Sequence, residues 1–297
     1  MADDQAIALD ALNAMSREDF VAAVGEIFEH APWVAEQAYA RRPFATVTAL
    51  HEAMLAGLAA ASPETVTDFL NRHPDLAAPA ARMAPLTAHS AHEQGAAGLD
   101  GLTATEAERL VTWNAQYRAR FGFPFILCVR RHARDSIFSR FEHRLTGEPE
   151  AERQVALAEI GRITALRLVG KIIGSGMPQV HGHLSTHLLD TVRGGAARGV
   201  PIELFLLTKE GGAARIATAV SNNDGRTDAP LIAGRPIPIG TYELRFAVGA
   251  YLAQFGGTSS PPFLDVVPVR FGVADPEGHY HIPLLFTPWS YATYRGS

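Results

Sequence analysis

The hydrophobic period of this chain changes once, and that change limits the fold more than any other feature. Up to about residue 168 the apolar side chains recur at helical intervals. From residue 184 they alternate, every second residue apolar. A segment patterned for one period does not settle as the other. The 297 residues are therefore expected to form two units of different class. The first is an all-α helical bundle over 1–168, and the second an all-β sandwich over 184–297.

In the first half Thr103 and Glu106 form a T-x-x-E capping box. Behind it Leu110, Asn114, Tyr117 and Phe121 recur at helical spacing, and Gly122 and Pro124 end the run. A last helix is expected over 152–168, with Ala156, Ile160 and Ile163 as its apolar stripe. Arg167 continues that stripe four residues on. A guanidinium on an apolar face needs a partner or a ligand, unless it caps the last carbonyls and snorkels into water. Residues 169–183, broken by Gly170, Gly174, Gly176 and Pro178, read as a linker.

In the second half Tyr242, Leu244, Phe246 and Val248 alternate with Thr241, Glu243, Arg245 and Ala247. Val267, Val269, Phe271 and Val273 repeat the pattern, as do Ile202, Leu204 and Leu206. Turn sequences such as Asn223-Asp224-Gly225 separate the runs, which suits a β-sandwich.

The net charge of −5 leaves no basic footprint for nucleic acid. No run of about 18 apolar residues is present, so no membrane span is expected. The start, Met1-Ala2-Asp3-Asp4, lacks the basic and apolar regions of a secretory leader. A soluble cytoplasmic protein is the expectation. The single cysteine, Cys128, lies in Phe125-Ile126-Leu127-Cys128-Val129 and reads as a buried small hydrophobe.

Chemistry-bearing residues of the second half cluster in a few motifs. His187-Leu188-Leu189-Asp190 opens it, and Asp224-Gly225-Arg226 follows. His279-Tyr280-His281-Ile282-Pro283-Leu284-Leu285 comes later, and the sequence ends Tyr294-Arg295-Gly296-Ser297. On spacing alone, His279 and His281 share one face of a strand and could hold zinc if a third ligand joined them. Taken singly, each histidine is more often structural, and Arg226 more often a solvated loop residue. The joint pattern resembles the transthyretin-like family, in its 5-hydroxyisourate hydrolase branch, over about 184–297. The resemblance implies a transthyretin-like sandwich that works without metal or cofactor. His187, Arg226 and His281 would be catalytic, and Tyr294 and Ser297 would complete the pocket. Hydrolysis of an acylurea-type amide needs a base for water, a donor for the oxyanion and a proton for the leaving nitrogen. Two imidazoles and a guanidinium supply these, with His281 on the base side. Small-molecule carriage, the role of transthyretin itself, is the alternative; this chain keeps the catalytic set and the Tyr-Arg-Gly-Ser ending that the carrier lacks.

In the helical half three segments stand out: Asn71-Arg72-His73-Pro74-Asp75-Leu76, Ser90-Ala91-His92-Glu93-Gln94, and the run from Asn114 to Phe125. Phe28-Glu29-His30-Ala31-Pro32-Trp33 precedes them. Their order and spacing resemble the 2-oxo-4-hydroxy-4-carboxy-5-ureidoimidazoline (OHCU) decarboxylases over about 12–168. The resemblance makes His73, beside Pro74, the proton relay, a task suited to imidazole near neutral pH. Ser90, Glu93 and Gln94 would hydrogen-bond the substrate, Arg167 would pair with an anionic or carbonyl group, and Phe125 and Ile126 would line the pocket. Taken alone, His73 reads as a loop histidine, and His89 and His92 as flanking residues outside the substrate contacts.

The two implied reactions are consecutive, leading from 5-hydroxyisourate through OHCU to (S)-allantoin, with the second half acting first. The expected partners are these small molecules and further copies of the chain, as a homotetramer built through the β half. A retained but inactive half serving binding or assembly is the other class of function.

Overall fold

A computed structural model describes residues 6–77, 90, 93, 95, 99, 101–256 and 259–296. Gln94, His89, His92 and Ser297 lie outside the described residues. The chain divides into two compact units, one of residues 1–130 and 137–180, the other of 131–136 and 181–297.

The first unit is helical, with helices at Leu9–Ala14, Arg17–Val24, Pro32–Tyr39, Val47–Ala59, Pro63–Asn71, Ala104–Phe121 and Pro149–Lys171, and with the Arg134–Arg144 helix from residue 137 onwards. Start signals in the sequence account for several of them. Ser16, Thr46 and Ser62 cap their helices by accepting from a backbone N–H three residues on. The Thr103–Glu106 capping box is formed on both sides, and Gly122 ends that helix. Phe20, Leu50, Met54, Leu70, Tyr117 and Phe141 are fully buried in the core.

The segment read as a linker is built differently. Pro149 at the first turn starts the last helix earlier than expected, and the helix runs on through Gly170 to Lys171. Ile172–Ile173 (β2) then pair in parallel with Ile7–Ala8 (β1). Val47 N–H and Thr48 N–H donate to the carbonyls of Ser175 and Gly176, at 3.0 and 2.9 Å. Helix and strand contacts thus hold residues 169–176 to the helical unit, overriding the glycine content that suggested a loose tether.

The second unit is a two-sheet sandwich. Its strands are β3 (Gly182–Asp190), β4 (Gly195–Ala196), β5 (Pro201–Leu207), β6 (Ala213–Val220), β7 (Ile232–Arg235), β8 (Gly240–Ala247), β9 (Val266–Val273), β10 (His279–Phe286) and β11 (Tyr291–Thr293). One sheet runs β11-β10-β3-β4, with β7 also pairing β3; the other runs β6-β5-β8-β9. The β3–β10 pair is parallel, and the remaining pairs are antiparallel. The alternation seen in the sequence sets the faces. Leu184, Leu188, Leu244, Phe246, Val267, Leu284 and Phe286 point into the core. Val248 is buried too, but it begins a short helix, Val248–Ala253, instead of extending the strand.

Candidate active sites

Among the described residues, each unit carries a cleft lined by chemistry-bearing motifs. The cleft of the helical unit encloses ≈ 430 Å³ of space, part of it open to solvent, and is lined by Glu29, His73, Pro74, Leu76, Ser90, Glu93, Phe125, Ile126, Leu127, Val129, Ile163 and Arg167. His73 follows the Pro63–Asn71 helix, whose capped start and buried Val66, Phe69 and Leu70 fix its position. His73 Nδ1 donates to the Phe69 carbonyl at 3.1 Å, and the ring meets the Phe69 ring edge-on at 4.9 Å. A carbonyl only accepts, so the proton is on Nδ1 and Nε2 is the basic nitrogen. Burial holds the His73 pKa below its ordinary value, against the Phe69 bond and the Glu29 charge, which pull upwards. His73 is thus a neutral base at neutral pH.

Arg167, on the buried stripe of the Pro149–Lys171 helix, does not snorkel. Its Nε and Nη2 donate to the two carboxylate oxygens of Glu93, both at 2.9 Å, and Nη2 also reaches Glu29 at 3.2 Å. Burial opposes this charge, but the bonds and charges of Glu93 and Glu29 outweigh it and raise the pKa further. Ser90 Oγ donates to Glu29 at 2.8 Å. Glu29, Ser90 and Arg167 are each less than one tenth exposed. A fork-shaped cation between two carboxylates orients all three groups.

In the second unit the parity of two strands builds the site. On β3, Leu184, Thr186 and Leu188 face the core, so His183, Ser185 and His187 face outwards. On β10, Tyr280 and Ile282 face the core, so His279 and His281 face outwards. The parallel register sets His183 opposite His279, Ser185 opposite His281 and His187 opposite Pro283. The His187 and His281 rings are 6.5 Å apart, and those of His183 and His279 4.8 Å.

Two further segments join this face. Leu188 N–H donates to the Gly225 carbonyl at 2.8 Å, bringing Arg226 beside His187. Gly225 has φ +72°, and a Cβ there would lie 2.3 Å from the Leu188 oxygen, so the approach requires glycine. Gly296 N–H donates to the His281 carbonyl at 2.8 Å, which lays the end of the chain along β10. His281 Nδ1 is 3.0 Å from Ser185 Oγ. Burial and then the positive field of Arg226 and His187 push the His281 pKa down. The cleft on this face is lined by His183, Ser185, Thr186, Arg226, Thr227, Asp228, Ala229, Pro230, His279 and His281. His187 adjoins that lining through Arg226 and His281, while Tyr294 stands 59% exposed outside it. Among the described residues no group of three or more His, Cys, Asp or Glu is arranged to hold a metal ion.

Comparison with known proteins separates the two units in the same way. Residues 13–169 match the family model for OHCU decarboxylase, and residues 184–296 that for the HIUase/Transthyretin family. The chain belongs to both families, one in each half. An OHCU decarboxylase of Haloferax volcanii is 38% identical over 162 residues, covering 54% of this chain and 94% of that protein. A 5-hydroxyisourate hydrolase of Deinococcus radiodurans is 53% identical over 117 residues, covering 39% of this chain and 98% of that protein. The crystal structure of an (S)-allantoin synthase is similar end to end, with a TM-score of 0.53, 34% identity, and 98% of this chain and 100% of that chain covered.

Glu29, His183 and Ser185 belong to these sites and were not among the candidates read from sequence. Glu29 sits in the OHCU decarboxylase cleft, where it accepts from both Ser90 and Arg167. Ser185 sits beside His281 in the HIUase/transthyretin half. Ser185 could have been found: it lies two residues from both His183 and His187, on the face they share. Glu93, expected with Gln94 and Ser90 to hydrogen-bond the substrate, is bound bidentately to Arg167, so the two act as one polar unit.

Proposed function

We propose how this chain's residues carry out two consecutive steps of urate degradation. The chain is a bifunctional enzyme. Its β half hydrolyses 5-hydroxyisourate to OHCU, and its helical half decarboxylates OHCU to (S)-allantoin. The observation that carries this reading is the presence of both clefts in a chain that matches (S)-allantoin synthase over its whole length.

In the hydrolase half, Ser185 accepts from His281 Nδ1–H, leaving Nε2 to take a proton from water. The water oxygen bonds to the scissile carbonyl carbon, and Arg226 with His187 holds the oxyanion that forms. When the C–N bond breaks, His281 returns the proton to the leaving nitrogen, and the ring is open. Tyr294 and Ser297 complete the pocket.

In the decarboxylase half, Arg167 together with Glu93 and Gln94 fixes the polar ring edge and ureido group. The apolar wall of Phe125 and Ile126, with Pro74, strips water from the carboxylate. When the carbon–carboxylate bond breaks, its electron pair passes into the adjacent ring unsaturation, giving an enol. His73 Nε2 takes the hydroxyl proton and delivers it to the neighbouring ring carbon from one face only. Carbon dioxide leaves, and the ring nitrogen that received the electron pair takes up one proton from solvent, since loss of carbon dioxide from a carboxylate consumes one proton.

The same proposal places the enzyme in the cytoplasm as a homotetramer assembled through the β half. No described helix is long and apolar enough to cross a membrane. Support for assembly comes from β9 and β11, each an outermost strand of its sheet, and from the exposed aromatics Phe263, Trp289, Tyr291 and Tyr294.

The test is to feed freshly generated 5-hydroxyisourate and follow absorbance and circular dichroism. The wild type should yield optically active allantoin. His281→Ala should stall the first step and His73→Asn the second. A racemic product from the wild type at the uncatalysed rate would reject the assignment.

A further inference from the structure

The wall of the decarboxylase cleft is a segment of irregular backbone, residues 123–128, and irregular buried backbone must find hydrogen bonds outside a helix or sheet. Two charged side chains supply them here. Arg144 Nη1 donates to the Ile126 carbonyl at 2.7 Å, and Cys128 N–H donates to Glu159 at 2.8 Å. The Ile126 carbonyl and the Cys128 N–H are thus held by side chains of the Arg134–Arg144 and Pro149–Lys171 helices.

Arg144 is 6% exposed and fully engaged. Its Nε and Nη2 lie 2.7 and 2.6 Å from one oxygen of Glu152, and Nη2 lies 3.3 Å from the Tyr117 hydroxyl, which itself donates to Glu152. Its guanidinium also stands 4.4 Å over the ring of Phe125, which stacks on Phe141 at 3.8 Å. A buried ion pair of this kind adds little stability over apolar residues of the same volume. What it contributes here, and apolar residues would not, is a donor aimed at one main-chain carbonyl.

We propose that Arg144, held by Glu152 and Tyr117, is a positioning residue for the decarboxylase: it fixes the Phe125–Ile126 wall against which OHCU is bound. The inference rests on the decarboxylase reading of this cleft. Arg144 touches no substrate; it acts through the Ile126 carbonyl and the Phe125 ring. The third sequence motif, from Asn114 to Phe125, thereby acquires a role at both ends, since Tyr117 anchors the guanidinium and Phe125 receives it.

The test uses the full chain. A single Arg144→Met substitution leaves Glu152 buried without its partner and would blur folding with function. The triple variant Tyr117→Phe/Arg144→Met/Glu152→Leu removes every polar group of the cluster together and leaves only the Ile126 carbonyl unpartnered. It is expected to melt near the wild type, to hydrolyse 5-hydroxyisourate normally, and to lose roughly 10- to 100-fold in kcat/KM for OHCU, mostly through KM. Glu159→Gln, which keeps an acceptor for Cys128 N–H, should change KM little, whereas Glu159→Leu should raise it. Wild-type KM and kcat in a folded triple variant would overturn the positioning role. A wild type that binds allantoin but never decarboxylates OHCU would instead overturn the underlying reading, so the two failures are distinct.

Discussion

His73 Nδ1 lies 3.1 Å from the carbonyl oxygen of Phe69, one helical turn earlier. The bond spends the ring's only proton on the backbone and leaves Nε2 basic, while burial keeps the ring neutral below its usual pKa of 6.5. Protonation abolishes the base, and it occurs on the acid side of that value. The acid limb of kcat/KM for OHCU should therefore fall below pH 6.5. His73→Asn should lower decarboxylation by roughly 10²- to 10⁴-fold with hydrolysis unchanged. An acid limb above the usual histidine range, measured by stopped-flow absorbance, contradicts this tautomer and environment.

Glu29 should matter to the same step, since Ser90 and Arg167 both donate to it. Glu29→Gln keeps an acceptor for Ser90 but removes the charge facing Arg167. A hydrogen bond to a charged group contributes about 1.5–3 kcal/mol, so kcat/KM for OHCU should drop by roughly ten- to a hundredfold. Arg167→Met is harsher, because it leaves buried Glu29 and half-buried Glu93 without their cation. A loss of about 3–5 kcal/mol in the helical unit is expected from denaturant titration. Full decarboxylase activity in Glu29→Gln would remove Glu29 from the site.

Periodicity assigned some faces in advance: the two-residue spacing of His279 and His281 put them on one side of a strand, now β10. The shared face of His183, Ser185 and His187 on β3 was not read from the sequence. The helical stripe put Arg167 on the buried side of its helix. Pairing across the fold was not readable. Glu29 meets Arg167 through tertiary packing alone, and a carboxylate after Phe28 carries no local sign of burial. The segment around Gly170 misled for a related reason. Glycine weakens a helix by only about 1 kcal/mol, less than the contacts that carry this one on to Lys171.

His51 should make the helical unit sensitive to acid. It is 8% exposed, bonds Thr164 Oγ1 at 2.8 Å, and burial lowers its pKa from 6.5 to about 4. The unfolded chain takes up this proton first as pH falls. The stabilising effect is complete above pH 6.5 and drains away between there and about 4, amounting to roughly 3 kcal/mol. His51→Gln keeps a donor for Thr164 and cannot titrate. The stability gap between wild type and variant should thus shift in the variant's favour between pH 7 and pH 4.5, followed by helical circular dichroism in urea. A gap that stays constant over that window refutes the role of His51.

Ser185→Ala isolates the orientation of the hydrolase base. Removing the oxygen 3.0 Å from His281 Nδ1 frees the ring to rotate and to exchange tautomers. Hydrolysis of 5-hydroxyisourate should slow by about tenfold, the value of one neutral hydrogen bond of roughly 1.4 kcal/mol. Decarboxylation of independently prepared OHCU should not change. Equal loss of both activities would point to general damage rather than to base orientation.

Gly296→Ala tests whether the chain end holds His281 in place. The Gly296 N–H donates to the His281 carbonyl at 2.8 Å, so the two residues are side by side across strands. A Cβ on residue 296 would lie 2.6 Å from His281 Cδ2 and 3.2 Å from its Cβ. The ring cannot yield as a flexible side chain would, since Ser185 holds its Nδ1 and Cβ is fixed to the strand. Either the ring turns out of register with Arg226 or the terminal segment lifts off β10. Both outcomes displace the base by the order of an ångström, enough to lower hydrolysis by up to about 100-fold. The residue is on the surface strand edge, so the melting temperature should hardly move. Unchanged hydrolysis in a folded Gly296→Ala enzyme would mean that His281 is positioned without help from the chain end.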